Sequence, residues 1–215
     1  MKWTVGAGML GPFVLAAWLP TASAEPRKAS GSVTLSDAAG DVESMQSTSG
    51  KHPGRDVVEL RLASDGQDLT VSATLADDAS GTLASKVIEL YVDTDGDGTT
   101  GKEATWGKKT GFELAVELTL CVKYTNGGEA CMGSAGKQAS GYYAVARVRD
   151  LVAGQSLGSV FSLPQTPVAG KVLTSRVTYA DLGLKPGQTV RLYARESSGP
   201  YDPSSYFPEV ALTLE

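Results

Sequence analysis

The sequence predicts an all-β chain, folded as an antiparallel β-sandwich of the jelly-roll or immunoglobulin-like type. After residue 24, apolar residues recur with a period of two in short runs, and Gly, Pro, Asp and Ser separate these runs. No helical periodicity of useful length occurs in the same part of the sequence. The 25 glycines suit a chain with many tight turns, which a β-sandwich requires.

The N-terminus has the pattern of a secretory signal peptide. Lys2 precedes the apolar stretch VGAGMLGPFVLAAWL, and the small residues of TASA follow it. We therefore expect residues 1–24 to be removed by cleavage after Ala24. Gly and Pro interrupt the apolar stretch, which is too short for a membrane anchor. We expect a soluble secreted or periplasmic protein without membrane insertion, with a flexible lead-in at residues 25–31 and one β-sandwich domain at residues 32–215.

Net charge argues mildly against two classes of partner. Cleavage takes Lys2 from the 19 basic residues and nothing from the 24 acidic residues, so the net charge changes from −5 to −6. Nucleic acids and anionic membranes attract basic surfaces, so we expect neither as a partner. Carbohydrates and other proteins remain open as partners.

The strand pattern is clearest in three runs, which are DVVELRLAS, DLTVSATLAD and KVIELYVD. The residues expected to face the core in these runs are Val58, Leu60, Leu62, Leu69, Val71, Ala73, Leu75, Ile88, Leu90 and Val92. The segment SDGQD between the first two runs is a hairpin turn signal, and Asp93 stands at the end of the third run. Later alternating runs bring the expected total to about eight to ten strands.

Two cysteines of the exported chain predict a disulfide bond. Cys121 lies in FELAVELTLCVKY and Cys131 follows the turn signal TNGGEA. A hairpin folded about Asn126 sets the two cysteines opposite each other, so we expect a cross-strand bond on the outer face, which Glu117 and Thr119 share. A free thiol pair and a redox pair are the alternatives, although redox pairs usually have C-x-x-C spacing.

The segment YVDTDGDGTTGK is a candidate calcium loop. Asp93, Asp95 and Asp97 alternate before a glycine, as in the first half of a twelve-residue calcium loop. Position twelve would be Ala104 instead of the usual glutamate, and the segment before the loop is a strand and not a helix. We therefore expect a calcium loop at the rim of the sandwich, where the backbone carbonyl of Thr99 adds a ligand. The alternative is an acidic turn without metal.

The missing carboxylate of this loop has two candidates, which are Glu103 and Glu113. A resemblance to a family favours the second. The stretch from IELYVDTDGDGTTG to GFELAVEL resembles carbohydrate-binding-module-9-like and DOMON-like domains, as do LSDAAGDVE and RVTYADLGLKPGQTVRLYARES. The resemblance touches residues 33 to 214. It implies a β-sandwich and a metal at the Asp93 loop with Glu113 as the distal ligand, but it implies no single function, because such domains bind sugars in some proteins and haem in others.

A non-catalytic, glycan-binding module is the function that we expect. Sugar rings stack on exposed aromatic side chains, and the candidates are Trp106 beside the calcium loop, with Tyr201 and Tyr206 in GPYDPSSYF. Each of these aromatics has an alternative role in packing the edge of the sandwich. The calcium would hold the loop in place without taking part in chemistry.

The sequence bears on three other classes of function. An envelope protein-interaction or structural domain is the first alternative, since it needs no special residues. Haem binding is a minor alternative, because the axial ligands available after cleavage are His52, Met45 and Met132. We do not expect an enzyme, because the sequence has no recognisable nucleophile elbow or histidine–carboxylate constellation.

Overall fold

The computed structural model describes part of the chain, namely residues 26–39, 56–79, 83–104, 109–134, 139–196 and 206–215. The predicted signal peptide at residues 1–24 lies outside these residues. The described chain is mostly strand, as the sequence predicts, and its one α-helix is the four-residue turn Tyr179–Leu182. No helix in the described segments is long and apolar enough to cross a membrane.

The strands are numbered in chain order. They are β1 (Arg27–Ser30), β2 (Ser32–Ser36), β3 (Val57–Ser64), β4 (Asp68–Leu75), β5 (Leu83–Asp93), β6 (Lys102–Ala104), β7 (Lys109–Phe112), β8 (Leu114–Tyr124), β9 (Glu129–Ala130), β10 (Gly133–Ser134), β11 (Ala139–Asp150), β12 (Gln155–Ser156), β13 (Thr166–Val168), β14 (Val172–Thr178), β15 (Thr189–Glu196) and β16 (Val210–Thr213).

Two sheets contain most of these strands. The larger sheet has the order β1-β16-β15-β5-β8-β11-β12, and β9, β10 and β13 pair at its margins. The smaller sheet has the order β14-β4-β3-β2, and β6 pairs separately with β7. The described pairs are antiparallel except that β1 runs parallel to β16. The predicted antiparallel all-β class is therefore confirmed, while the jelly-roll or immunoglobulin-like type stays a prediction.

Both sheets contribute to one hydrophobic core. Leu60 and Val71 of the smaller sheet belong to the same buried cluster as Leu90 and Leu118 of the larger sheet. Because side chains alternate between the two faces of a strand, the larger sheet has a second face that points away from this core. We call it the outer face.

The core positions predicted from alternation are confirmed in β4 and β5 and are nearly right in β3. Leu60 and Leu62 are buried, but Val58 is only partly buried, and Val57 takes the core position instead. The reason is a register irregularity between Val57 and Glu59, which places one extra residue in β3 relative to β4. Such a bulge moves the preceding side chains to the opposite face.

The expected flexible lead-in at residues 25–31 differs from the structure, where Arg27–Ser30 form the edge strand β1. The segment has no apolar alternation that would have predicted a strand. It is held by the backbone, because Arg27 N–H donates to the carbonyl of Glu209 (3.2 Å) and Gly31 N–H donates to that of Thr213 (2.9 Å). Backbone pairing of this kind depends on a free sheet edge and not on side chains.

The predicted disulfide is confirmed. Cys121 and Cys131 are bonded, with their Cα atoms 4.1 Å apart, and the register of β8 with β9 sets them opposite each other. The bond lies on the outer face, away from the main core, but it is buried. A small cluster covers it, to which Tyr143 and Val145 of β11 and the partly buried Leu163 belong.

Candidate functional site

The outer face carries three rows of side chains that the strand registers place side by side. The first row contains Arg191 and Asp93, the second contains Tyr193, Tyr91, Ala115 and Arg149, and the third contains Arg195, Glu89, Glu117 and Arg147. Each row crosses the neighbouring strands β15, β5, β8 and β11, the first of them only in part. The segment 94–101, which we call the acidic loop, lies at the end of this face where β5 stops.

Three carboxylates converge at the acidic loop. One oxygen from each of Asp93, Asp95 and Glu113 lies within 4.8 Å of the other two. Asp93 is the last residue of β5 and is fully buried, whereas Glu113 lies between β7 and β8. Glu113 is fixed by Thr94, whose backbone N–H and hydroxyl donate to its Oε2 at 2.7 and 3.1 Å. The structure therefore brings together residues 20 positions apart, as the sequence reasoning proposed for Glu113.

The Thr100 hydroxyl lies at the meeting point of these acids. Its Oγ1 is 3.0 Å and 3.2 Å from the two carboxylate oxygens of Asp95, 2.9 Å from the carbonyl of Asp97 and 3.3 Å from Glu113 Oε1. A hydroxyl has one proton, so it can satisfy only one or two of these four acceptors. Acceptor oxygens thus outnumber the proton that Thr100 supplies to them.

Asp97 and Thr99 pair with each other beside the three acids. The hydroxyl and the backbone N–H of Thr99 donate to Asp97 Oδ1 at 2.6 and 2.9 Å. These two hydrogen bonds hold the pKa of Asp97 below its ordinary value. Asp97 is not part of the three-carboxylate group, and its exposed side chain closes the turn.

Arg191 balances part of the acidic charge. Its Nε donates to Asp93 Oδ2 at 2.8 Å, its Nη1 donates to Glu209 at 3.2 Å, and its guanidinium lies 4.7 Å from the centre of the Phe112 ring. Burial would lower the pKa of Arg191, but the bonds to Asp93 and Glu209 outweigh it and raise that pKa. With one cation against three carboxylates, the group keeps a formal charge of −2.

Sequence reasoning did not identify Arg191 or Thr100 as members of the site. A signal for Arg191 existed, because Arg191, Tyr193 and Arg195 alternate with apolar residues in TVRLYARE and therefore share one face. The sequence could not show which strand lies next to β15. That neighbour, β5, carries Asp93 and Glu89.

A layer of aromatic rings lies beside the acidic loop. The rings of Tyr91 and Phe112 are 5.7 Å apart, and Tyr193 stacks on Tyr206 with centroids 5.5 Å apart and planes at 14°. Burial, then the neighbouring Tyr206 and Glu209, raise the pKa of Tyr193 to about 12. Tyr206 is partly exposed at the edge of this layer.

Most of the other residues predicted to bind a ligand lie outside the described part of the chain. Trp106 and Tyr201 lie outside the described residues, as do His52 and Met45 of the haem alternative. Met132 is described, and its side chain is exposed. Of the three aromatic residues predicted to bind glycan, the structure therefore places Tyr206 alone, and it places it against Tyr193.

Comparisons of the chain with models of protein families, with curated proteins and with solved structures found no match. The resemblance to carbohydrate-binding-module-9-like and DOMON-like domains therefore stays a prediction.

Proposed function

We propose that the protein is a secreted or periplasmic, non-catalytic β-sandwich module that binds carbohydrate and that a structural calcium ion holds its acidic loop. The observation that carries the calcium proposal is the convergence of Asp93, Asp95 and Glu113, each of which places one carboxylate oxygen within 4.8 Å of the other two. A cation relieves the repulsion among such carboxylates, because it accepts electron pairs from several oxygens at once.

The chemistry of the residues fits calcium. The three carboxylates supply hard oxygen ligands, which calcium prefers, and their charge together with Arg191 matches a divalent cation. Asp93, Asp95 and Glu113 would hold the ion, while the predicted contributions of Asp97 and the Thr99 carbonyl would complete the shell. The ion would tie the end of β5 to the start of β8 and would take no part in chemistry.

Carbohydrate is the proposed ligand because the outer face combines aromatic and polar side chains. The stacked pair Tyr193 and Tyr206 borders a row of charged residues, and sugar sites use this combination of ring faces and hydrogen-bonding groups. Trp106 and Tyr201 remain predicted members of the site. An envelope protein as partner is the alternative.

Titration of calcium into chelator-treated protein tests the metal, and a glycan array tests the ligand. We expect the calcium titration to show one binding event. Bound calcium should also raise the melting temperature, because it binds the folded state and not the unfolded state. Glu113→Gln should abolish both effects. Glu103→Gln is the matched control, because Glu103 lies exposed in β6, directly after the acidic loop, and outside the three-carboxylate group.

Wild-type protein that shows neither heat nor a change in melting temperature would disprove the calcium site. On the array, wild-type protein should retain glycans, and Trp106→Ala and Tyr206→Ala should weaken retention. Retention that Trp106→Ala leaves unchanged would remove Trp106 from the site. A protein that retains no glycan would favour the envelope-protein alternative.

A further inference from the structure

The third row of the outer face places two glutamates directly opposite each other. Glu89 of β5 pairs in register with Glu117 of β8, and their side chains are 2 % and 3 % exposed. Like charges in this position repel each other, and burial makes each charge costly. The pair therefore depends on cations close by.

Four cations meet the two glutamates. Arg195 donates to Glu89 Oε2 through Nε and Nη2 at 3.1 and 2.8 Å, and Arg147 donates to Glu117 Oε2 through Nε at 2.9 Å and through Nη2. Lys86 Nζ lies 3.1 Å from Glu89 and 3.5 Å from Glu117. Arg149 reaches the same two acids at 2.8 and 3.8 Å.

This cluster carries more positive charge than its own carboxylates need. Four cations against two carboxylates leave a formal charge of +2, on a chain whose net charge is −5. The Nε of Arg149 is buried and has no hydrogen-bond partner among the described residues. The structure thus fixes the guanidinium and ammonium groups in place without using all of their charge.

The excess charge is accessible on one side. The carboxylates lie underneath, but the side chains of Lys86, Arg147 and Arg149 are 28 %, 31 % and 35 % exposed. Guanidinium groups that are held rigidly form paired hydrogen bonds with carboxylates and related anions at little entropic cost.

An aromatic edge borders the same row. Arg195 forms a β-bridge with Tyr206, and the ring of Tyr206 stacks on Tyr193 in the neighbouring row. Ring faces pack against sugar rings, whereas an acidic polypeptide would use only the cations. The pairing of a tyrosine edge with fixed cations therefore favours an acidic carbohydrate over an acidic protein.

We propose that the third row of the outer face binds an acidic polysaccharide, with uronate carboxylates on Arg149, Arg147 and Lys86 and a sugar ring against Tyr206. This proposal rests on the carbohydrate function above and specifies its ligand class. It does not depend on calcium, because none of these residues belongs to the three-carboxylate group.

Isothermal titration with galacturonate octasaccharide tests the proposal. Arg149→Gln should weaken binding about tenfold, which is the effect of losing one charge-assisted contact of typical strength. Arg176→Gln is the control, since Arg176 is an exposed arginine of the smaller sheet that pairs loosely with Asp65 at 3.9 Å. Added salt should weaken the wild-type binding, because the contact is electrostatic.

Circular dichroism and the melting temperature establish that each variant is folded. If Arg149→Gln does not fold, Lys86→Gln takes its place, because Arg149 still contacts both glutamates in that variant. Wild-type protein that does not bind the octasaccharide, or binding that neither variant weakens, would overturn the proposal.

Two comparison ligands separate this proposal from the function on which it rests. Poly-L-glutamate that binds as tightly as the octasaccharide would show that the partner is an acidic polypeptide and would overturn the assignment to polysaccharide. Binding of neutral glycans without binding of the galacturonate would overturn the charged site and leave the carbohydrate-binding module standing.

Discussion

Gly111 shows how closely the acidic loop packs against its neighbours. Its φ is +86°, a conformation that side chains rarely adopt, and an added Cβ would lie 2.4 Å from the Cα of Gly98. The same Cβ would lie 2.5 Å from Nη2 of Arg191, which donates to the Gly111 carbonyl at 3.1 Å. The position therefore requires glycine for its backbone angle and also for its lack of a side chain.

Gly111→Ala should destabilise the protein by about 2–4 kcal/mol, because strain in the backbone adds to a clash with backbone and guanidinium. Gly127→Ala is the matched control. Gly127 also has a positive φ, +82°, but an added Cβ would meet nothing within 4 Å, so it should lose only about 1 kcal/mol. Urea unfolding measures both, and equal losses would contradict the close-packing argument.

Residues whose surroundings are local in the chain could be predicted from the sequence. The aspartates of DTDGDG alternate within one short stretch, so Asp93 and Asp95 could be placed in one loop from the sequence, whereas the choice of Glu113 over Glu103 came from the resemblance to a family. The contact of Arg191 with Asp93 and Gly111 could not be predicted, because it joins residues about 80 to 98 positions apart. Such contacts depend on strand order, which a single sequence does not reveal.

At the scale of elements, β8 is buried on both faces. Alternation correctly predicts Val116, Leu118 and Leu120 toward the core, and it places Glu117 and Cys121 on the other face. The sequence predicts that this second face is polar and lies at the surface, but the face is buried. Side chains of β11 and of the segment after β11 pack over the face. Periodicity shows which residues share a face, but it does not show what covers that face.

The buried disulfide stabilises the β8–β9 hairpin. Replacing Cys121 and Cys131 together by Ala should cost about 2–3 kcal/mol, because a short loop is no longer closed in the unfolded chain. Urea unfolding of the wild-type protein and of the variant, both without a reducing agent, measures the difference. A variant that is as stable as the wild-type protein would show that the covering cluster, and not the bond, stabilises the hairpin.

At the scale of the whole molecule, the larger sheet separates two different environments. Its inner face joins the smaller sheet in an apolar core. Its outer face holds the acidic loop, the aromatic layer and the third row of side chains, which is the ionic row. The apolar core follows from sequence pattern. The ionic row does not, because Arg195, Glu89, Glu117 and Arg147 come from four strands that meet only when the sheet is assembled.

The ionic row should make the stability of the molecule depend on acid pH. Burial raises the pKa of Glu89, but the charge of Lys86 and hydrogen bonds from Arg195 and Tyr91 lower it by more, so this pKa lies below its ordinary value of 4.5. A carboxylate whose pKa is depressed by folding stabilises the folded state above the unfolded pKa. That stability is lost as the pH falls through the lower, folded pKa.

The melting temperature should therefore vary little between pH 7 and pH 5 and should fall below about pH 4.5. Glu89→Gln should be less stable by about 3 kcal/mol at pH 7, since Arg195 loses its buried partner, and it should lose less stability between pH 5 and pH 3 than the wild type. Asp77→Asn, at an exposed position, is the control and should follow the wild-type curve. If Glu89→Gln follows the wild-type curve as well, carboxylates outside the ionic row determine the acid sensitivity.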